Sequence, residues 1–192
     1  MKLSVLICTI PERHDKFKVL INHIKGLVRA ANALDIVEVV YDDAPKGTKT
    51  IGGKRNDLLN KAVGDYVCFI DDDDSISNDY FLEILKAIES NPDCIGFEIA
   101  CDMEGKKVNA ASSIKYEWSD NVDGYRYARS IYHKTPVKRE IALKCMFPDI
   151  SYAEDYEYSQ RLKPHLKSEI FINKPLYYYN YKYENPKTKY GI

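Results

Sequence analysis

The chain has 192 residues, 45% hydrophobic and 30% charged, which suits one domain (1–192) with a full core and is short for two. Its formal net charge of -1 excludes a chain built as a whole for nucleic acid or for an acidic membrane. There is no apolar run of 18 residues, so no membrane-spanning helix is expected. The start, MKLSVLICT, lacks a small-residue cleavage site, so no leader is expected.

In chain order, LSVLICTI (Leu3 to Ile10) is a continuous apolar, β-branched run and predicts a buried strand, stopped by Pro11. Phe17, Leu20, Ile21, Ile24, Leu27 and Val28 recur at spacings of three and four and predict a helix from about His14 to Leu34. IVEVVY (Ile36 to Tyr41) predicts a second strand, closed by Asp42 and Asp43. A loop rich in glycine and lysine follows, then a helix from about Lys54 to Val63 with Gly64 as its cap. DYVCFI is a third strand. Ser77 or Asn78 caps a helix from about Asp79 to Ser90, with Phe81, Leu82, Leu85 and Ile88 inward. This β-α alternation predicts an α/β fold, three-layered around a mostly parallel sheet. Ligands of such sheets bind beyond the carboxyl ends of the strands.

The second half reads as a strand over Cys94 to Cys101, another near Val108, and an irregular stretch over residues 111–132. Thr135-Pro136 predicts a helix start running to about Lys144. Ser151-Tyr152-Ala153-Glu154 is a capping-box sequence for a helix to about Leu162, which by itself accounts for Glu154. EIFIN and PLYYYNYKY are extended pieces. Six of the 16 tyrosines crowd between Tyr177 and Tyr190, and tyrosine's flat apolar face with a polar tip suits sugars and bases. The five cysteines form no CxxC pair and read as free thiols of a reducing, cytoplasmic compartment.

The chemistry concentrates at VCFIDDDDSIS. The third strand ends in four consecutive aspartates, Asp71 to Asp74, whose mutual repulsion needs solvent, hydrogen bonds or cations. An EF-hand is excluded, because the positions that require Gly and Glu hold Ile76 and Leu82. A divalent cation shared with a phosphorylated ligand remains, and in an extended chain Asp71 and Asp73 face one side. Gly52-Gly53-Lys54-Arg55 lacks P-loop spacing, but its glycines allow backbone to approach a phosphate.

Four segments in order, SVLICTIPER, VYDDA, KRNDLLNKAVGDYVCFIDDDD and SYAEDYEYSQRL, resemble a small family 2 glycosyltransferase of the GT-A fold over roughly residues 3–165. The resemblance implies an inverting transfer from a UDP-sugar to an acceptor hydroxyl, with Mn²⁺ or Mg²⁺. Residues 1–90 would form the nucleotide-sugar-binding half and 91–192 the acceptor-binding half. Thr9 and Pro11 would line the base, Asp42 or Asp43 would bond it, and Arg55 would lie beside it or the diphosphate. Asp71 and Asp72 would approach the ribose, with Arg13 and Lys54 also in the nucleotide-sugar set. Asp73 would ligate the metal, with Asp71 beside it. Asp155 would be the general base, Glu154 its catalytic neighbour.

Trp118, His133 and Lys182 are acceptor-side candidates, and the tail has no histidine where many such enzymes place a further metal ligand. The expected acceptor is a glycan or lipid-linked sugar. The basic, tyrosine-rich tail (Lys174, Lys182, Lys187, Lys189) keeps open transfer to a modified base in nucleic acid. A nucleotidyltransferase and an inactive nucleotide-binding module are the other readings.

Overall fold

A computed structural model describes residues 1–181. Its strands are β1 (Leu3–Cys8), β2 (Val37–Asp42), β3 (Tyr66–Phe69), β4 (Ser75–Ile76), β5 (Cys94–Met103), β6 (Lys106–Ser112), β7 (Ser119–Val122), β8 (Tyr125–Arg129), β9 (Val137–Lys138) and β10 (Glu169–Tyr181). Its helices are α1 (His14–Ala30), α2 (Ile51–Lys61), α3 (Tyr80–Ile88), α4 (Arg139–Cys145) and α5 (Glu154–Leu162). One sheet runs β2-β1-β3-β9-β5-β6-β8-β7, with β10 beside β5 and β4 on β10. β2, β1 and β3 are mutually parallel, as are β5 with β10 and β6 with β8.

Strand alternation divides the core into two layers. Leu3, Val5 and Ile7 face Phe17, Leu20 and Ile24 of α1 and Phe81 and Ile84 of α3. Leu6, Val67 and Phe69 face Leu58 and Leu59 of α2, Ile141 of α4 and Tyr158 of α5. With helices on both faces, the carboxyl ends of β1, β2 and β3 meet at one edge, where the acidic loop begins.

Several elements differ from the sequence expectation. α2 starts three residues early, capped by Thr50, whose Oγ1 accepts from Gly53 N at 2.9 Å. Gly52 sits inside its first turn because a Cβ there would lie 1.9 Å from the Pro148 carbonyl oxygen. Gly64 is not the helix cap: it presses on β1, where a Cβ would come within 2.6 Å of Ser4 N. Leu82 is exposed, and Ile84 takes the inward position on α3. Residues 119–129 form a hairpin through Asp123 (φ 52°) and Gly124 (φ 83°), a two-residue turn with both φ positive. α4 starts at Arg139, after Val137 and Lys138 pair with β3. β10 is a single strand with bulges around Pro175.

Candidate active site

The four aspartates after β3 have separate surroundings. Asp72 is buried and accepts from Thr9 Oγ1 at 2.7 Å and Arg13 Nη1 at 2.8 Å. Asp74, its side chain fully buried, takes Lys134 Nζ at 2.5 Å, Tyr177 Oη at 2.8 Å and the Asn180 amide at 3.0 Å. Asp71 faces Lys134 Nζ at 3.0 Å, His133 Nε2 at 3.3 Å and Arg55 Nη2 at 3.4 Å. Asp73 has the most exposed side chain of the four, at 38%, and lies 3.1 Å from Arg13 Nη1.

These environments set the charges. Burial works to raise Asp71, but Lys134, His133 and Arg55 outweigh it and hold the carboxyl well below the usual carboxylate range. Burial raises Asp73 against Arg13, and raises Asp74 against Lys134. Burial opposes the Lys134 ammonium, yet Asp71 and Asp74 keep its pKa above the ordinary lysine value. Burial, helped by Arg55, pushes His133 down to about 4, so its ring is neutral at pH 7.

Lys54 is also buried. Its Nζ donates to the Thr9 carbonyl at 3.0 Å and to the Ala44 carbonyl, 3.5 Å from Asp42 Oδ1. It thereby ties the ends of β1 and β2 together. Asp43 and Pro11 are exposed beside them. Arg55 projects from α2 against the rings of Phe69 and Phe147, which touch each other edge-on, and donates to Glu154 Oε1 at 2.8 Å. Burial raises the Glu154 carboxyl against the pull of Arg55. The capping-box account of Glu154 is therefore corrected. The cap position is Ala153, left-handed at φ 60°, and no side chain caps the helix. Ser151 Oγ instead accepts from Ile51 N at 3.3 Å.

Left-handed backbone is unfavourable for alanine, and here it turns the chain so that Glu154 and Asp155 open α5 side by side. Negative charge is favoured at that helix end. Asp155 is half-buried, with Oδ2 3.9 Å from His133 Nδ1. It lines a cavity of about 430 Å³ together with Arg55, Asp71, Trp118, His133 and Lys134. A larger cavity of about 1010 Å³ opens on Arg13 and all four aspartates. Asp71 stands in the wall of both.

The structure thus gathers Thr9, Arg13, Asp72 and Asp73 in one cluster, and Arg55, Asp71, His133, Glu154 and Asp155 in another. Trp118 joins the second, its Nε1 donating to Ser159 Oγ at 3.1 Å. Lys182 lies outside the described residues. Sequence reasoning missed Lys134, which also lies over the Tyr177 and Tyr179 rings at 4.5 and 4.2 Å. The SIYHKTP context carried no signal for a buried cation. Among the described residues no three His, Cys, Asp or Glu side chains form a metal-holding group. No helix among them is long and apolar enough to cross a membrane.

A mixed sheet with helices on both faces, carrying an acidic loop and a carboxylate-lined cavity at its carboxyl edge, defines a GT-A type of domain. Residues 14–143 match the family described as "Glycosyl transferase family 2", and the chain belongs to that family. It is 24% identical over 145 residues to a Bacillus subtilis (strain 168) protein named "Putative glycosyltransferase EpsH", covering 67% of this chain and 41% of that one. The fold is similar to S. aureus TarS 1-349, with TM-score 0.66, 18% identity, and coverage of 94% of this chain and 60% of that one. The same TarS fragment in complex with UDP-GlcNAc gives TM-score 0.67, 16% identity, and coverage of 98% and 61%. The chain therefore spans less than two thirds of the length of each of these relatives.

Proposed function

We propose that the chain is an inverting glycosyltransferase that moves a sugar from a UDP-sugar to an acceptor hydroxyl, with Asp155 as general base. The observation that carries this reading is the 430 Å³ cavity, in which Asp155 faces the acidic loop across Asp71 and His133. A UDP-sugar donor is supported by the TarS neighbour, solved with UDP-GlcNAc. A hydroxyl is a weak nucleophile, and a positioned carboxylate accelerates its attack by about 10² to 10⁴. Arg55 fixes Glu154, and with it the start of α5, so that Asp155 is held in place. Asp72 fixes the loop after β1 through Thr9 and Arg13.

A Mn²⁺ or Mg²⁺ ion fits this site as one shared with a diphosphate. Asp73 would hold it, because its side chain is the most exposed of the four and, among the described residues, faces Arg13 only, whereas Asp71, Asp72 and Asp74 each take two or more partners within the protein. Such an ion takes one or two carboxylates, with phosphate oxygens and water completing its shell. When bound it would draw charge from the leaving diphosphate.

The acceptor we propose is a glycan or lipid-linked sugar. Of the lysines that prompted a nucleic-acid reading, Lys174 is paired with Asp79 and, at 3.8 Å, with Glu83. Lys182, Lys187 and Lys189 lie outside the described residues. The test is turnover and binding across UDP-, GDP- and dTDP-sugars with Mn²⁺, alongside Asp73→Asn and Asp155→Asn. Selective UDP-sugar turnover, lost in Asp155→Asn and weakened in Asp73→Asn, is expected. No binding of any nucleotide sugar would sink the reading.

A further inference from the structure

Arg129 stands in the wall of the 430 Å³ cavity with Asp155 and Trp118, and the reaction above gives it no task. It does not line the larger cavity, which opens on Arg13 and the four aspartates. The other cations of the smaller cavity are already engaged. Arg55 pairs with Glu154 and Asp71, and Lys134 with Asp74 and Asp71.

Arg129 ends β8, and its guanidinium is held in place by the protein. Cζ lies over the rings of Trp118 and Tyr127, at 5.2 and 5.1 Å. Nη1 donates to the carbonyls of Ser119 at 2.7 Å and Ala128 at 2.9 Å. One oxygen of Asp120, Oδ1, lies 3.2 Å from both Nη1 and Nη2. A guanidinium is planar and carries five N–H groups in a fixed fork. An oxygen equidistant from Nη1 and Nη2 takes the two hydrogens that converge at the end of that fork. The Nε hydrogen and the outer Nη2 hydrogen run parallel along its side, and they have no acceptor among the described residues. Such an edge grips a carboxylate or a phosphate with two hydrogen bonds. The charge is also under-answered. Asp120 serves Arg126 Nη1 as well, at 3.6 Å, so one carboxylate meets two guanidiniums. Its side chain is 46% exposed, and surface pairs of that kind contribute little. The carbonyls of Ser119 and Ala128 orient the guanidinium without cancelling its charge.

Resting on Asp155 as the general base in this cavity, we propose that Arg129 selects the acceptor. It takes an acidic sugar, one bearing a carboxylate or a phosphate ester, on its Nε–Nη2 edge while the acceptor hydroxyl is presented to Asp155. Trp118 couples the two places: its ring packs on Arg129, and its Nε1 is bonded to Ser159 of α5, the helix that carries Asp155. A neutral acceptor leaves the edge to solvent.

Trp118 is the single tryptophan of the chain, so its fluorescence reports on the site directly. The full chain, with UDP present, is titrated with methyl β-glucuronide, with glucose 6-phosphate and, as the neutral reference, with methyl β-glucoside. At least one acidic sugar is expected to bind about tenfold tighter than the reference, through a charge-assisted bidentate contact. Which of the two does so separates carboxylate from phosphate. Arg129→Gln keeps a donor for the carbonyls and is expected to erase the difference. Arg129→Lys keeps the charge without the fork and is expected to retain part of it. Asp120→Asn frees the guanidinium from its competing carboxylate and is expected to tighten the acidic sugar severalfold without moving methyl β-glucoside. An arginine that only braced the hairpin would give no such gain. Acidic sugars that bind no better than the neutral one, a preference that survives Arg129→Gln, or no gain in Asp120→Asn overturn the proposal. Turnover separates it from the reading it rests on. Sugar transfer lost in Asp155→Asn, together with no Arg129-dependent preference, overturns this proposal alone. Transfer retained in Asp155→Asn fails the base reading, and the assignment of Arg129 to the acceptor falls with it.

Discussion

Replacing Lys134 with methionine tests how the acidic loop is held. The side chain is 5% exposed, and its ammonium touches Asp74 Oδ2 at 2.5 Å and Asp71 Oδ2 at 3.0 Å. Asp71 keeps Arg55 and His133 after the change. Asp74 keeps only neutral donors, Tyr177 Oη and the Asn180 amide, among its described contacts. It is then a buried carboxylate without a counter-charge. Removing one partner of a buried pair costs about 3–5 kcal/mol. The lost cation–π contacts with Tyr177 and Tyr179 cost less, because methionine sulfur also packs on aromatic rings. We expect Lys134→Met to lose about 4 kcal/mol at pH 7 in urea unfolding followed by circular dichroism. That is a large part of a typical domain's stability. The double variant Lys134→Met/Asp74→Asn removes the stranded charge and should recover most of the loss. A single variant within about 1 kcal/mol of wild type, or a double variant no better than the single, would refute the reasoning.

The neutral His133 makes a second prediction. Its folded pKa of about 4 lies below the ordinary histidine value of 6.5, so the unfolded chain binds the extra proton first as pH falls. Its contribution is complete above about pH 6.5 and is lost progressively toward pH 4, amounting to about 3 kcal/mol. Asp73, Asp74 and Glu154, raised by burial, act in the opposite sense on acidification. The His133 share is therefore read as the difference between wild type and His133→Gln, and parallel stability–pH curves would count against it. A third prediction contrasts two glycines of α2. Gly52→Ala meets the Pro148 backbone and should cost about 1–3 kcal/mol. Gly53→Ala meets side chains and no backbone, Thr50 and Asp149 at 3.0 and 3.1 Å and Lys49 at 4.0 Å, and should stay within about 0.5 kcal/mol. Thermal melts that shift alike for both would contradict the packing.

The alternating elements of the first ninety residues were legible because apolar strands and three-four spaced helices are local patterns. The β7–β8 hairpin was missed: residues 111–132 read as irregular, because the polar flanks SDNV and YRYAR hid the Asp123-Gly124 turn signal. The start of α2 was hidden by Gly52-Gly53, and the reason for Gly52 is Pro148, almost a hundred residues away. Glu154 matched a local motif, yet its partner is Arg55, 99 residues earlier. Lys134 had no local signature, because its burial depends on Asp71, Asp74 and two tyrosines of β10. Charges that answer one another across the fold are invisible to any short window.

The four aspartates are consecutive in sequence but are not a single ligand set. Asp72 points back to Thr9 and Arg13 and closes the loop after β1. Asp74 points to Lys134 and to Tyr177 and Asn180 of β10, anchoring the loop to the far side of the sheet. Asp71 joins α2 to the β8–β9 loop through Arg55, His133 and Lys134. Three carboxylates are thus spent on architecture, answered by cations from three separate parts of the chain. Their compensation lets a short, rigid turn carry four charges without flying apart. Asp73 alone of the four is more than a third exposed, and it shares Arg13, at 3.1 Å, with Asp72 while facing the larger cavity. The acidic run is first of all the mounting for one outward carboxylate.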